Sequence, residues 1–91
     1  MKKIRTHKFN GVRYDIDIDS NCAGYCDAPR GNNRPCLYVG TDITTKKGLH
    51  DLLHEILHAS RWGVAEEKVE RTATEMTSLL WRLDFRFLGR K

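Results

Sequence analysis

His54 and His58 stand four residues apart, with Glu55 beside the first, in a stretch whose apolar residues recur at helical spacing. A spacing of four places both imidazoles on one helix face, one above the other. Leu49, Leu52, Leu53, Ile56 and Ser60 share the opposite face, the one that must find a core. The histidine side is therefore expected to border an open cleft. Two imidazoles so placed can reach one cation at about 2.0–2.1 Å. Glu55 falls roughly 100° round the helix from His54, beside such an ion and not on it. A carboxylate there can take a proton from water, which zinc acidifies to a pKa of about 7. That is the physical content of the His-Glu-x-x-His pattern.

Such a site needs a third protein ligand and one position left for water. A second helix is expected to start near Ala65, with Glu66 and Glu67 in its first turn favouring the positive end of its dipole. If the chain reverses near Trp62–Val64, antiparallel pairing sets Glu70 level with the midpoint of His54 and His58. Glu66 lies on the same side one turn earlier, about 5.4 Å along the axis. Both stay candidates, Glu70 favoured by register. Glu67 points elsewhere. His50 extends the histidine row by a turn, too far to hold the same ion, and is expected to be a satisfied or solvated side chain.

The rest of the chain supplies a sheet. Val12, Tyr14, Ile16 and Ile18 alternate with polar residues, the mark of a half-buried strand. Asn10-Gly11 before it signals a hairpin with a partner strand over Ile4–Phe9. Residues 19–35 are rich in turn formers and read as a long loop. Cys36–Gly40 then gives a third strand, taken as the edge strand at Leu37–Val39. Thr44 or Thr45 caps the first helix, which runs to about Arg61, and Gly63 suits a left-handed helix end. Val69, Ala73, Met76, Leu80 and Leu83 form the apolar stripe of the second helix. The expected fold is α+β: a three-stranded antiparallel or mixed sheet with two helices packed on one face, as a single domain over 1–91.

Composition sets limits on function. The net charge is +4, with basic residues gathered at both ends of the 91-residue chain. That permits contact with nucleic acid, although a solvated basic surface is the simpler reading. Nothing approaches the ~20 apolar residues of a membrane span. Three cysteines, Cys22, Cys26 and Cys36, do not complete a disulfide framework and fit a reducing cytoplasm. They read as small buried thiols. A structural zinc with His7 as fourth ligand has no matching spacing, and Cys26 over the cleft is a further possibility. Trp62, Trp81, Phe85 and Phe87 read as core and helix-packing residues.

The run Leu52-Leu53-His54-Glu55-Ile56-Leu57-His58-Ala59 resembles the active helix of zincin metallopeptidases. A glutamate on the following helix resembles the gluzincin branch. Gly24-Tyr25-Cys26-Asp27, Glu66-Glu67-x-Val69 and Leu80-Trp81-Arg82-Leu83 extend the likeness to small zincin-like proteins encoded by bacteriophages, over roughly residues 12–87. The resemblance implies Zn2+ on His54, His58 and either Glu66 or Glu70, a general base at Glu55, and a peptide or protein substrate laid along an edge strand. It implies residence in the host cytoplasm. The chain departs from larger peptidases in having no second subdomain and no evident oxyanion-stabilising residue, for which Tyr38 and Arg82 are the candidates. A zinc-dependent peptidase, a zinc-stabilised binding module without catalysis, and a small basic nucleic-acid-binding protein are the three expectations, in that order.

Overall fold

The computed structural model describes residues 4–18, 25–26 and 34–87. The elements follow in the order β1 (Thr6–Phe9), β2 (Val12–Ile18), β3 (Tyr25–Cys26), β4 (Cys36–Val39), α1 (Lys46–Ser60) and α2 (Glu66–Arg82). The architecture is α+β, as the pattern predicts. The three expected strands form and a short fourth joins them.

Asn10 and Gly11 both take positive φ, 51° and 80°, so the two-residue turn bends the way the twist of its strands requires. Phe9 then faces Val12, and β1 runs antiparallel to β2. β2 pairs with β4 in parallel, and β3 pairs with β4 antiparallel, giving the order β1-β2-β4-β3. The sheet is therefore mixed. β4 lies inside it, and the edge expected at Leu37–Val39 belongs instead to β3. A strand of two residues carries no readable alternation, so its place inside a turn-rich stretch was invisible to periodicity.

Tyr14, Leu37, Val39 and Ala59 form the buried centre, with Phe9, Val12, Ile16, Ile43, Leu52 and Ile56 packed around it. The inward alternation of β2 holds through Ile16 and fails at Ile18, which is exposed where the strand leaves the core. α1 lies on this sheet. α2 packs on α1 and, among the described residues, not on the strands. The order of layers is thus sheet, α1, α2, and only α1 of the two helices covers the sheet directly.

That stacking changes which side of α2 is inside. Val69, Ala73 and Thr77, an i, i+4, i+8 row, are buried, while Met76 and Leu83 of the expected stripe are exposed. A row of spacing four is one of the ridges by which a helix packs on a single neighbouring helix. Trp62, Phe85 and Phe87 are likewise exposed, not core. Arg86 lies over the Trp81 ring, its guanidinium carbon 3.4 Å from the ring centre.

The entry to α1 is tightly built. Thr45 is the cap, its side chain accepting from the Gly48 amide while its own hydroxyl donates to the Asp42 carbonyl. A Cβ at Gly48 would stand 1.9 Å from that same carbonyl oxygen. Gly63 is not left-handed, and a Cβ there would meet nothing within 4 Å. The exit of α1 is instead closed by the Arg61 amide donating to the Leu57 carbonyl. Gly48→Ala should accordingly lower unfolding free energy by about 1–3 kcal/mol, the usual cost of overpacking. Gly63→Ala should leave it unchanged or slightly raised. Urea denaturation of the two variants checks this; equal effects would contradict the geometry.

Candidate metal centre between two helices

The row His50, His54, His58 runs along α1 on the side that α2 covers. The imidazoles are consequently half-buried between helices and do not line the open cleft expected of them: side-chain exposure is 22%, 16% and 20%. The ring of His58 lies 4.8 Å from that of His54, and both turn their Nε2 atoms inward, 3.1 Å apart.

Glu66, in the first turn of α2, meets this pair. Its Oε2 lies 2.9 Å from His54 Nε2 and its Oε1 2.7 Å from His58 Nε2. Two nitrogens and a carboxylate thus converge on one point, from residues eight and twelve positions apart in sequence. Around a tetrahedral zinc with bonds of about 2.0–2.1 Å, neighbouring ligand atoms stand roughly 3.3–3.4 Å apart. The triangle is a few tenths of an ångström tighter than that, so a cation fits with small side-chain opening. The Glu66 side chain is 65% exposed, which leaves the centre open on one side.

Glu70 takes the other side of His54. Its Oε1 is 3.1 Å from Nδ1 of that ring, and its Oε2 is 3.0 Å from His50 Nε2. The register that favoured Glu70 beside both Nε2 atoms is therefore off by about one helical turn. The chain does reverse at Trp62–Val64, as expected, with the Val64 amide donating to the Arg61 carbonyl; what differs is the offset of α2 along α1. His50, His54 and Glu70 form a second group within ligating range. It shares His54 with the first. A neutral imidazole has one lone pair and one N–H, so if Nε2 ligates, Nδ1 carries the proton and faces Glu70. That is the arrangement by which an outer carboxylate fixes tautomer and ring orientation.

His50 is engaged rather than solvated. Nδ1 lies 3.3 Å from Asp51 Oδ1. Nε2 stands within ion-pair distance of Glu70 yet is buried with no aligned hydrogen bond. Asp51 also accepts from the Thr41 hydroxyl and pairs with Lys47. Burial pulls the Asp51 carboxyl upward, and the Thr41 hydroxyl, His50 and Lys47 outweigh it, leaving the group below its ordinary 3.8.

Glu55, beside His54 on α1, is half-buried. Burial pushes its carboxyl above the ordinary 4.5; His58 draws it back down, while Glu66 and Asp51 raise it further. These influences place Glu55 within electrostatic reach of the centre. Trp62 stacks on His58 at 6.0 Å and 29°, and its indole N–H donates to the hydroxyl of fully buried Tyr14. The tie from His58 through Trp62 to the core was not legible in the sequence, although the spacing of four between 58 and 62 puts them on one face.

Of the two oxyanion candidates, Arg82 is not brought to the centre. Arg82 ends α2, about 24 Å along the helix from Glu66, and Tyr38 is buried in β4. His7 is exposed on β1 beside Phe9, and Cys36 is half-buried at the start of β4. Cys22 and the side chain of Cys26 lie outside the described residues, and so does any ligand role for them.

The chain matches no protein-family model, and no curated protein or solved structure was found similar to it. Among the described residues, no helix is long and apolar enough to cross a membrane.

Replacing the two glutamates should separate their positions. Glu66→Ala should abolish tight metal binding. Glu70→Gln should weaken it about 10–100-fold, the usual effect of losing an outer partner of a ligating histidine. Competition with a chromophoric chelator measures both, and the reverse ranking would contradict the geometry. Asp51 gives a pH test. Its depressed pKa means a stabilising contribution that is present above the unfolded value and lost as pH falls through the folded one. Thr41→Val should therefore cost about 1 kcal/mol at neutral pH. That cost should shrink below pH 3.8, as followed by denaturation at several pH values.

Proposed function

We propose that the chain is a zinc-dependent hydrolase of peptide bonds, with His54, His58 and Glu66 holding the metal and Glu55 serving as general base. The observation that carries this reading is the convergence of His54 Nε2 and His58 Nε2, 3.1 Å apart, each 2.7–2.9 Å from one oxygen of Glu66. Two imidazoles and one carboxylate, open on one side, are a donor set that suits zinc and leaves a place for water or substrate. Bound there, zinc would supply an acidified water and polarise a carbonyl.

The chain's own groups do the rest. Glu70 faces Nδ1 of His54 and holds the tautomer that presents Nε2 inward. Trp62 stacks on His58 and anchors it through Tyr14 to the core. Glu55, on the next position round the helix, stands near His58 and Glu66, and its raised pKa brings it nearer to the operating pH, where a carboxylate can accept a proton and return it to a leaving amine. Peptide binding has a natural track. Among the described residues β3 is the end of the sheet, lies against α1, and is paired on one edge, by β4. An extended peptide added to the other edge would run past the centre with its backbone paired. A reducing, cytoplasmic setting belongs to the same reading, on the odd number of cysteines.

Glu55→Gln decides the catalytic part. The variant should retain one zinc per chain by elemental analysis and lose about 10²–10⁴-fold in the cleavage of a fluorogenic peptide pool. Unchanged turnover would remove Glu55 from the chemistry. Loss of the metal along with activity would contradict a base that stands beside the ion.

A further inference from the structure

The seam between α1 and α2 does not end at Glu70. One turn beyond it, toward the start of α1, a recess of about 440 Å³ is lined by Lys46, Lys47, His50, Thr74, Thr77 and Ser78. It is separate from the His54–His58–Glu66 triangle, and its chemistry is opposite. Where the metal centre gathers carboxylates, the recess has two ammonium groups and three hydroxyls.

Thr77 is the unusual member. It is 3% exposed, the one polar side chain in the buried class among the described residues, and its hydroxyl has no hydrogen-bond partner. A buried hydroxyl is costly unless something accepts from it or donates to it. A threonine inside a helix commonly turns its hydroxyl to the carbonyl one turn back; Thr77 does not. On the facing helix, buried His50 Nε2 is also without an aligned hydrogen bond. The recess is thus bordered by one buried hydroxyl without a partner, that of Thr77 on α2, and by His50 of α1, whose Nε2 faces Glu70 at 3.0 Å. The first turn of α1 adds to this. It has no acidic residue and begins Lys46-Lys47, so it places two cations at the positive end of the helix dipole. That arrangement is unfavourable by itself and becomes favourable when an anion sits there. The carboxylates beside this end of the seam are engaged: Asp42 by Thr44, Asp51 by Thr41 and Lys47, and Glu70 by His50 and His54.

We infer that this recess is a binding site for a phosphate group, taken up by Lys46 and Lys47 at the start of α1 and by the hydroxyl of Thr77, with Thr74 and Ser78 in reach. Phosphate has enough acceptor oxygens to use ammonium and hydroxyl donors together. The volume leaves room for the organic part of a phosphate ester. The site stands independently of the metal reading, because none of its lining residues belongs to the triangle.

The test is thermal unfolding of the zinc-treated full chain in increasing inorganic phosphate, against sodium chloride at matched ionic strength. A ligand that binds only the folded state raises the melting temperature in a saturable way. Wild type should show that rise with phosphate and not with chloride. Thr77→Val removes one hydrogen bond to a charged group and should weaken phosphate binding about ten-fold or more. In chloride alone it should be as stable as wild type or more so, since it removes an unpartnered buried hydroxyl. Lys47→Gln, on the surface, gives the same comparison without touching the interior and should also weaken binding. Phosphate can bind zinc, so His58→Ala is the control: its phosphate response should persist. A rise that survives Thr77→Val and Lys47→Gln but vanishes in His58→Ala would assign the ion to the metal centre and overturn the inference. Equal rises in chloride, or none in phosphate, would overturn it as well.

Discussion

The contact between Glu66 and the two imidazoles of α1 is the constraint on which the rest of the site depends. It joins the start of one helix to the end of another across a five-residue connection. Without a cation it brings a carboxylate and two largely desolvated rings together, an arrangement that burial alone does not favour. With one it becomes a ligand set. The central cluster among the described residues is small, Tyr14, Leu37, Val39 and Ala59 with their partly buried neighbours, and a metal that binds only the folded state would add directly to stability. The polar seam and the sheet divide the work: the sheet holds α1, and the contacts of Glu66 and Glu70 with the α1 histidines join α2 to α1 beside Val69 and Ala73.

The layering explains why. Among the described residues α2 does not rest on the strands; it packs on α1 along one narrow buried ridge. Much of what it presents to α1 in its first half is glutamate, not leucine. Register between two such helices is then set by charged pairs, Glu66 with His54 and His58, Glu70 with His54 and His50. The same seam continues into the basic recess around Thr77. Along its length the chain places acceptors at one end and donors at the other, so two different ligand chemistries can occupy one interface.

What the sequence disclosed and what it withheld divide along physical lines. The pairing of His54 with His58 follows from helical spacing alone and was fully readable. So was the hairpin, because Asn10-Gly11 is the turn chemistry that two positive φ angles require. The choice between Glu66 and Glu70 was not readable. It turns on how far α2 is offset along α1 once the chain has reversed, which the spacing within each helix does not give. The short edge strand β3 was hidden because two residues show no periodicity. The burial of the histidines was missed because an amphipathic pattern shows which face meets the core, not which face a second helix will cover. Thr77 was hidden for the same reason: a threonine in a polar stretch gives no sign that it is to be buried.

The account's central claim concerns which atoms hold the metal, and X-ray absorption at the zinc edge of the reconstituted protein tests it most directly. The predicted shell is nitrogen and oxygen only, at about 2.0–2.2 Å, with the outer-ring scattering of two imidazoles. That scattering should fall to one imidazole in His58→Ala. A sulfur shell at about 2.3 Å would place the metal on the cysteines instead, and would contradict the assignment to His54, His58 and Glu66.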